Sequence, residues 1–104
     1  MTRQFDVYRN PLRMGRDERP YLLIVQHGIW DDRPTRVVVP FVAVSAIHPE
    51  RRLNPAFNIQ GKLYYLSPTE IIAIPVRRLR EQLDNLADER DRIVAALDLV
   101  FTGI

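Results

Sequence analysis

The sequence predicts a mainly β chain, in which several short antiparallel strands form a small, strongly bent sheet or partial barrel and one C-terminal helix packs on it. Three observations carry this. Short apolar runs rich in β-branched residues recur between breaks made by Gly and Pro. Alternating residues flank the turn dipeptide Gln60-Gly61, which spells a hairpin. Beyond Val76 the composition turns charged and the apolar residues fall at helical spacing.

The first strand is read over Gln4 to Tyr8, with Phe5 and Val7 on one face and Asp6 between them. Asn10-Pro11 breaks it, and the polar stretch from Arg13 to Pro20, punctuated by Gly15, is a loop. Tyr21 to Gln26 and Thr35 to Phe41 are apolar runs of strand length. Pro40 cannot donate a ladder hydrogen bond, so the second run is expected to lie at an edge, bend or end there. Between the two runs, His27 to Pro34 is a loop that carries Ile29 and the only tryptophan, Trp30, either folded back on the core or exposed as a contact patch. Phe41 to Ile47 fits a strand or a helical turn, and His48 to Pro55 is a loop. Ala56 to Gln60 and Lys62 to Leu66 form the hairpin, Ser67 to Glu70 connects, and Ile71 to Val76 is a further buried strand with Pro75 near its end.

In the final stretch Leu86, Ile93, Leu97, Val100 and Ile104 follow one another along one helical face, widened by Val94 and Phe101. Asn85 is the expected cap, Asp88 and Glu89 favour the positive end of the helix dipole, and Asp88 is spaced to pair with Arg92. The chain ends on Phe101-Thr102-Gly103-Ile104. An apolar residue in that position is useful either packed inside the fold or pressed against a partner.

A chain of 104 residues suits one domain with a single core. There is no cysteine, which excludes disulfides and thiolate metal sites, and two histidines are too few to hold zinc by themselves. No apolar run reaches the roughly 18 residues of a membrane span, and the opening residues lack the apolar core of a secretion signal, so a soluble, cytoplasmic protein is expected. The formal net charge is +2, with fourteen arginines against the single Lys62; arginine suits carboxylates and phosphates, but so small a net charge makes no nucleic-acid footprint by itself.

No glycine-rich phosphate cradle, nucleophile elbow or paired histidine motif is present. His27 and His48 are lone histidines, and although Arg-rich loops with Thr35 or Ser45 have the chemistry for RNA cleavage, no spacing singles out such a site.

Gln4-Phe5-Asp6-Val7-Tyr8, Val25-Gln26 followed by Ile29 and Asp31, Val39-Pro40, Ile74-Pro75-Val76 and above all Phe101-Thr102-Gly103-Ile104 together resemble the CcdB family of toxins from toxin-antitoxin modules, over essentially the full length. The resemblance implies a homodimer of SH3-like, partly open barrels of the CcdB, Kid and MazF type. It implies a binding protein and no enzyme or cofactor: a toxin that binds the DNA gyrase A subunit, traps the cleaved-DNA complex, is neutralised by a CcdA-like antitoxin, and reaches operator DNA only as the toxin-antitoxin complex, which represses its own operon. By position, the gyrase contact falls on Asp98, Thr102, Gly103 and Ile104 of the helix end and on His27, Ile29 and Trp30 of the loop. A two-fold dimer presents both copies on one face.

The chain departs from the family pattern where Thr102 replaces a tryptophan that stacks on a gyrase arginine, and where Asp98 and His27 stand for Asn and Ser. Threonine cannot stack, and an aromatic anchor at an interface centre is worth on the order of 2 kcal/mol. Trp30 is the expected source of replacement contact area. Arg13, Arg16 and Arg19 are expected to receive an acidic, disordered antitoxin segment. Two other readings are an endoribonuclease of the MazF or Kid type and a non-toxic relative acting only through antitoxin or operator.

Overall fold

The structure, a computed structural model, describes residues 1–13 and 15–104. It is mostly β: an open, curled antiparallel half-barrel with one C-terminal helix, consistent with an SH3-like barrel. The strands are β1 (Asp6–Arg9), β2 (Tyr21–Ile24), β3 (Thr35–Ala43), β4 (Ala56–Ile59), β5 (Lys62–Leu66), β6 (Ile72–Pro75) and β7 (Gln82–Asn85), and the helix is α1 (Arg90–Thr102). They form one seven-stranded sheet in the order β4-β5-β3-β2-β1-β7, with β6 pairing β3 off that path.

The fork at β3 is what bends the sheet away from a simple ribbon. One edge of β3 pairs with β2 from Val38 to Phe41, whereas the other is divided between β6 (Thr35 to Val38) and β5 (Phe41 to Ala43). Pro40 sits at the changeover. β3 therefore neither ends at Pro40 nor becomes an edge; the proline lies where that side of the strand has no ladder partner to supply, and its carbonyl accepts from the Ser67 N–H at 3.0 Å.

Strand alternation gives the sheet two apolar faces. Val7, Leu23, Val39 and Phe41 point to one side, where Phe57, Tyr64, Leu66 and Ile93 of α1 complete a core. Two edge-to-face pairs, Tyr21 on Tyr64 and Phe41 on Phe57, lock it. Tyr8, Leu22, Ile24 and Val38 point to the other side, covered by Ile74 and Leu79 with Leu12 alongside. The hairpin closes through Gln60 and Gly61, both at positive φ (53° and 81°), as a tight two-residue turn matching the sheet twist requires.

Five expectations are corrected. The first strand begins at Asp6, because Phe5 takes a left-handed φ of 69° to enter the core, and Asp6 is buried, accepting from Arg3 N–H (2.8 Å) and Asn85 Nδ2 (2.9 Å). Ile71 to Val76 is only partly buried: Ile72 is 44% exposed, since β6 pairs with β3 alone and stands at a sheet edge. Gln82–Asn85, in the stretch read as charged and helical, is a strand; pairing with β1, through an irregularity between Val7 and Tyr8, overrides its polar sequence. Arg92 pairs with Glu89, not Asp88, at 2.7 Å. Finally, Asn85 is not the helix cap: a 3₁₀ turn, Ala87–Glu89, precedes α1, the cap positions are Leu86 for that turn and Glu89 for α1, and Asn85 Oδ1 accepts from Ala87 N–H at 2.8 Å ahead of both.

Candidate functional site

The first half of α1 is fixed by burial of Ile93 and Ala96, with Val94 and Leu97 packed beside them. The stripe then leaves the core. Phe101 is 67% exposed and Ile104 90% exposed, so Phe101 does not widen a buried face. The end is nevertheless ordered: Gly103 takes a left-handed φ of 76° and its N–H donates to Leu99 O at 3.0 Å, closing an αL cap. Thr102 Oγ1 donates to Asp98 O at 2.7 Å and accepts from Ile104 N–H at 3.4 Å. The Thr102 hydroxyl is thus spent on the helix terminus itself. Asp98 is exposed in the last turn, where the dipole disfavours a carboxylate by a few tenths of a kcal/mol.

The second group lies on the loop between β2 and β3. His27 Nδ1 accepts from Ile29 N–H at 3.0 Å, capping a 3₁₀ turn over Gly28–Trp30. Ile29 is 70% and Trp30 51% exposed, which places both on the outside of the molecule, with the Arg33 guanidinium 5.8 Å from the indole centroid. The residue that shapes this loop escaped sequence reasoning. Arg36 of β3 is 5% exposed, and its guanidinium donates to Thr2 Oγ1 (2.9 Å) and to the carbonyls of Asp31 (3.0 Å), Arg33 (2.7 Å) and Thr35 (3.0 Å), with the Asp31 carboxylate at 3.5 Å. An arginine within an apolar strand five residues after an aspartate was the available signal.

Among the described residues, no hydrogen bond, ion pair or aromatic contact joins this loop to the helix end within one chain. Of the three arginines of the 13–19 loop, Arg13 is exposed, Arg16 donates to the carbonyls of Leu12 (3.3 Å) and Pro11 (3.1 Å), and Arg19 forks onto Glu70 at 2.6 and 3.2 Å. Burial pushes the Glu70 carboxyl up, but hydrogen bonds from Arg19 and Ser67 and the charge of Arg19 outweigh it and hold the group below its ordinary range.

A groove of about 630 Å³ runs between α1 and the 49–56 loop, lined among others by Arg51, Arg52, Arg92, Tyr65, Leu99 and Ile104. Asn54 is buried under its rim, with Oδ1 accepting from Glu50 N–H and Nδ2 donating to Leu66 O, and so fixes the loop. Arg92 lies 4.3 Å from the Phe57 centroid and donates to Ala56 O at 2.7 Å. Cationic walls over an apolar floor suit an acidic, amphipathic segment. Among the described residues no three His, Asp or Glu side chains gather at metal-binding range, and no helix is long and apolar enough to cross a membrane.

The fold is similar to that of a solved chain described as "Endoribonuclease in complex with its cognate antitoxin from Mycobacterial species", with a TM-score of 0.79 at 17% identity, over 97% of this chain and 95% of that one. At that identity the likeness speaks for architecture. The family profile described as CcdB protein matches residues 4–103, nearly the whole length, and includes both the loop and all but the last residue of the helix end. The chain therefore belongs to the CcdB family, the toxin family its sequence resembles.

Proposed function

We propose that this chain is the toxin of a toxin-antitoxin module and acts by binding the DNA gyrase A subunit, not by catalysis. The observation that carries the reading is an apolar helix end that is both exposed and held rigid, since Phe101 and Ile104 project from a terminus closed by the Thr102 and Gly103 hydrogen bonds. A preordered apolar wedge loses little freedom on binding. With Thr102 committed to Asp98, the aromatic contact with the target falls to Phe101, one position earlier, and Ile29 and Trp30 add area from the loop. A two-fold homodimer combines the loop and helix ends that a single chain leaves unconnected.

The antitoxin is proposed to lay an acidic segment in the groove between α1 and the 49–56 loop, where cations and apolar surface occur together. Such a segment covers Ile104 and so withdraws the helix end from its target. In this reading the protein works in the cytoplasm, where gyrase is.

The test is incubation of the purified protein with gyrase and supercoiled plasmid, together with a direct titration of the A subunit. Cleaved-DNA complexes and saturable binding are expected; neither cleavage nor binding at micromolar protein overturns the gyrase reading. The fold likeness to an endoribonuclease motivates one second reading, RNA cleavage, which the same preparation tests by incubation with total RNA. A chain that leaves gyrase and RNA untouched and causes no growth arrest on overexpression is a relative that acts only through antitoxin or operator.

A further inference from the structure

The small net charge conceals a strongly uneven distribution. Arg9, Arg19, Arg33, Arg36 and Arg92 each face a carboxylate. Among the described residues Arg77, Arg78 and Arg80 do not; with Pro11 they line a shallow groove between β6 and β7. How the chain holds them there is plain from the packing. Leu79, 7% exposed, plugs the second core against Tyr8, Leu22, Ile24, Val38 and Ile74, so its neighbours at 77, 78 and 80 are turned outward and exposed. Leu12 packs against the same core and brings the 11–16 loop alongside. Arg16 braces that loop through the Pro11 and Leu12 carbonyls, and Arg13 is exposed beside it. Of the acids in the adjoining segments, Glu81 is held by Arg9 and Glu18 by Arg19, whereas Asp17 of the loop and Asp84 of β7 take part in no ion pair among the described residues.

We propose that this arginine edge docks the phosphate backbone of duplex DNA. Guanidinium groups without carboxylate partners, fixed on a braced turn, are preordered for phosphate oxygens. The lining decides between polyanions. Leu79 and Leu12 are turned into the second core and do not line the groove, whose single apolar residue is Pro11, so an acidic peptide that must fold on binding finds little hydrophobic anchor to offset its ordering. No aromatic ring lines the groove either, whereas single-stranded nucleic acid is held largely by stacking. The edge offers nothing to read a base, so its contribution is independent of sequence, and any operator choice belongs to another component. The chain thus carries phosphate contacts of its own, beyond those an antitoxin supplies. This inference does not depend on the gyrase reading.

The experiment titrates a fluorescent duplex of about 30 base pairs and arbitrary sequence with the unmodified protein across a salt series, free of antitoxin and gyrase. Binding that weakens linearly with log salt is expected, each neutralised phosphate adding about 0.9 to the slope. The triple variant Arg77→Gln/Arg78→Gln/Arg80→Gln reduces the slope by about 2 to 3 and the affinity at low salt at least tenfold, while Arg3→Gln/Arg90→Gln, at exposed arginines away from the groove, changes neither and gyrase binding is unaffected by both. Because the three side chains are exposed, circular dichroism should be unchanged; the single variants, each reducing the slope by about 1, serve if the triple variant misfolds. The proposal is overturned if the unmodified protein ignores the duplex, if the Arg77, Arg78 and Arg80 variants bind as well as it does, if Arg3→Gln/Arg90→Gln loses as much, or if oligo(dT) or poly-glutamate of equal charge competes better than duplex.

Discussion

The two faces of the sheet are closed in different ways. On one side a thirteen-residue helix seals a core of large side chains and then runs past it, ending in apolar residues that nothing in the chain covers. On the other side the sealing is shared by Ile74 of β6, by Leu12, and by Leu79 of a short connection in which the residues on either side of Leu79 are arginine. Each closure therefore leaves a surface whose chemistry follows from how the closing element is anchored. A long helix can bury its first turns and project its last ones, which yields a rigid apolar wedge suited to a protein target. One buried leucine in a short connection orients its charged flanks outward, which yields a cationic edge suited to phosphate. The distinction is lost at the level of composition, where both segments are simply mixtures of apolar residues and charge.

The comparison breaks most readily in the larger core. Ile93 is completely buried among Phe5, Val7, Leu23 and Val39, so Ile93→Ala is expected to cost about 3 to 4 kcal/mol by urea denaturation. Ile93→Val should cost about 1 kcal/mol. An Ile93→Ala variant less than 1 kcal/mol below the parent protein would mean that α1 is not what closes this face.

Leu79→Ala is expected to cost less, about 2 to 3 kcal/mol, because its cluster is smaller and the side chain retains slight exposure. Its sharper signature is functional. Releasing the plug frees the turn that aligns Arg77, Arg78 and Arg80, so duplex affinity should fall although every arginine is still present, while binding of the gyrase A subunit stays as it was. Equal loss of both activities would show that the two faces are not independent.

Much of this asymmetry was legible in the sequence, and the parts that were not share a cause. The hairpin could be read because Gln60-Gly61 sits between alternating residues, and the helix because its stripe keeps helical spacing from Ile93 to Val100. β7 could not be read: Gln82-Leu83-Asp84-Asn85 has no strand pattern, and only the backbone of β1 makes it one. Arg36 looked like one more cation in an Arg-rich chain, yet it organises the loop that presents Trp30, because its partners are mostly backbone carbonyls, which leave no mark in side-chain chemistry. The stripe itself carried no indication of where burial stops, since Leu97 and Phe101 look equally suited to a core and differ only in whether the sheet extends beneath them. Net charge misled for the same reason. Pairing in three dimensions removes the balanced arginines, and of the rest the fold gathers Arg77, Arg78 and Arg80 at one edge.

At the helix end, Phe101→Ala should leave folding intact to within about 0.5 kcal/mol, since the ring is mostly exposed. Gyrase A subunit binding is expected to weaken about 30-fold, corresponding to about 2 kcal/mol for an aromatic anchor. Trp30→Ala is expected to do less, because the indole already rests against Arg33 and stands on a separate loop. The reverse ranking would move the centre of the contact from the helix to the loop.

The smallest effect concerns the clamp between the two loops that precede β2 and β6. Arg19 holds Glu70 by two hydrogen bonds, with Ser67 Oγ adding a third at 2.7 Å, and the carboxyl is held below its ordinary range. A carboxyl lowered in the folded state stabilises the protein above its unfolded pKa of about 4.3 and loses that contribution as pH falls through the folded value. Because both side chains are about one-third exposed, solvent screening keeps the contribution to about 0.5 kcal/mol or less. Glu70→Gln should therefore sit slightly below the parent protein in urea midpoint at pH 7, and the gap should close as the pH is taken down towards 3. A gap that persists at low pH would assign the loss to packing of the amide, and a gap well above 1 kcal/mol would show that the clamp, more than the packing of Leu12, holds the Pro11 loop in place beside the arginine edge.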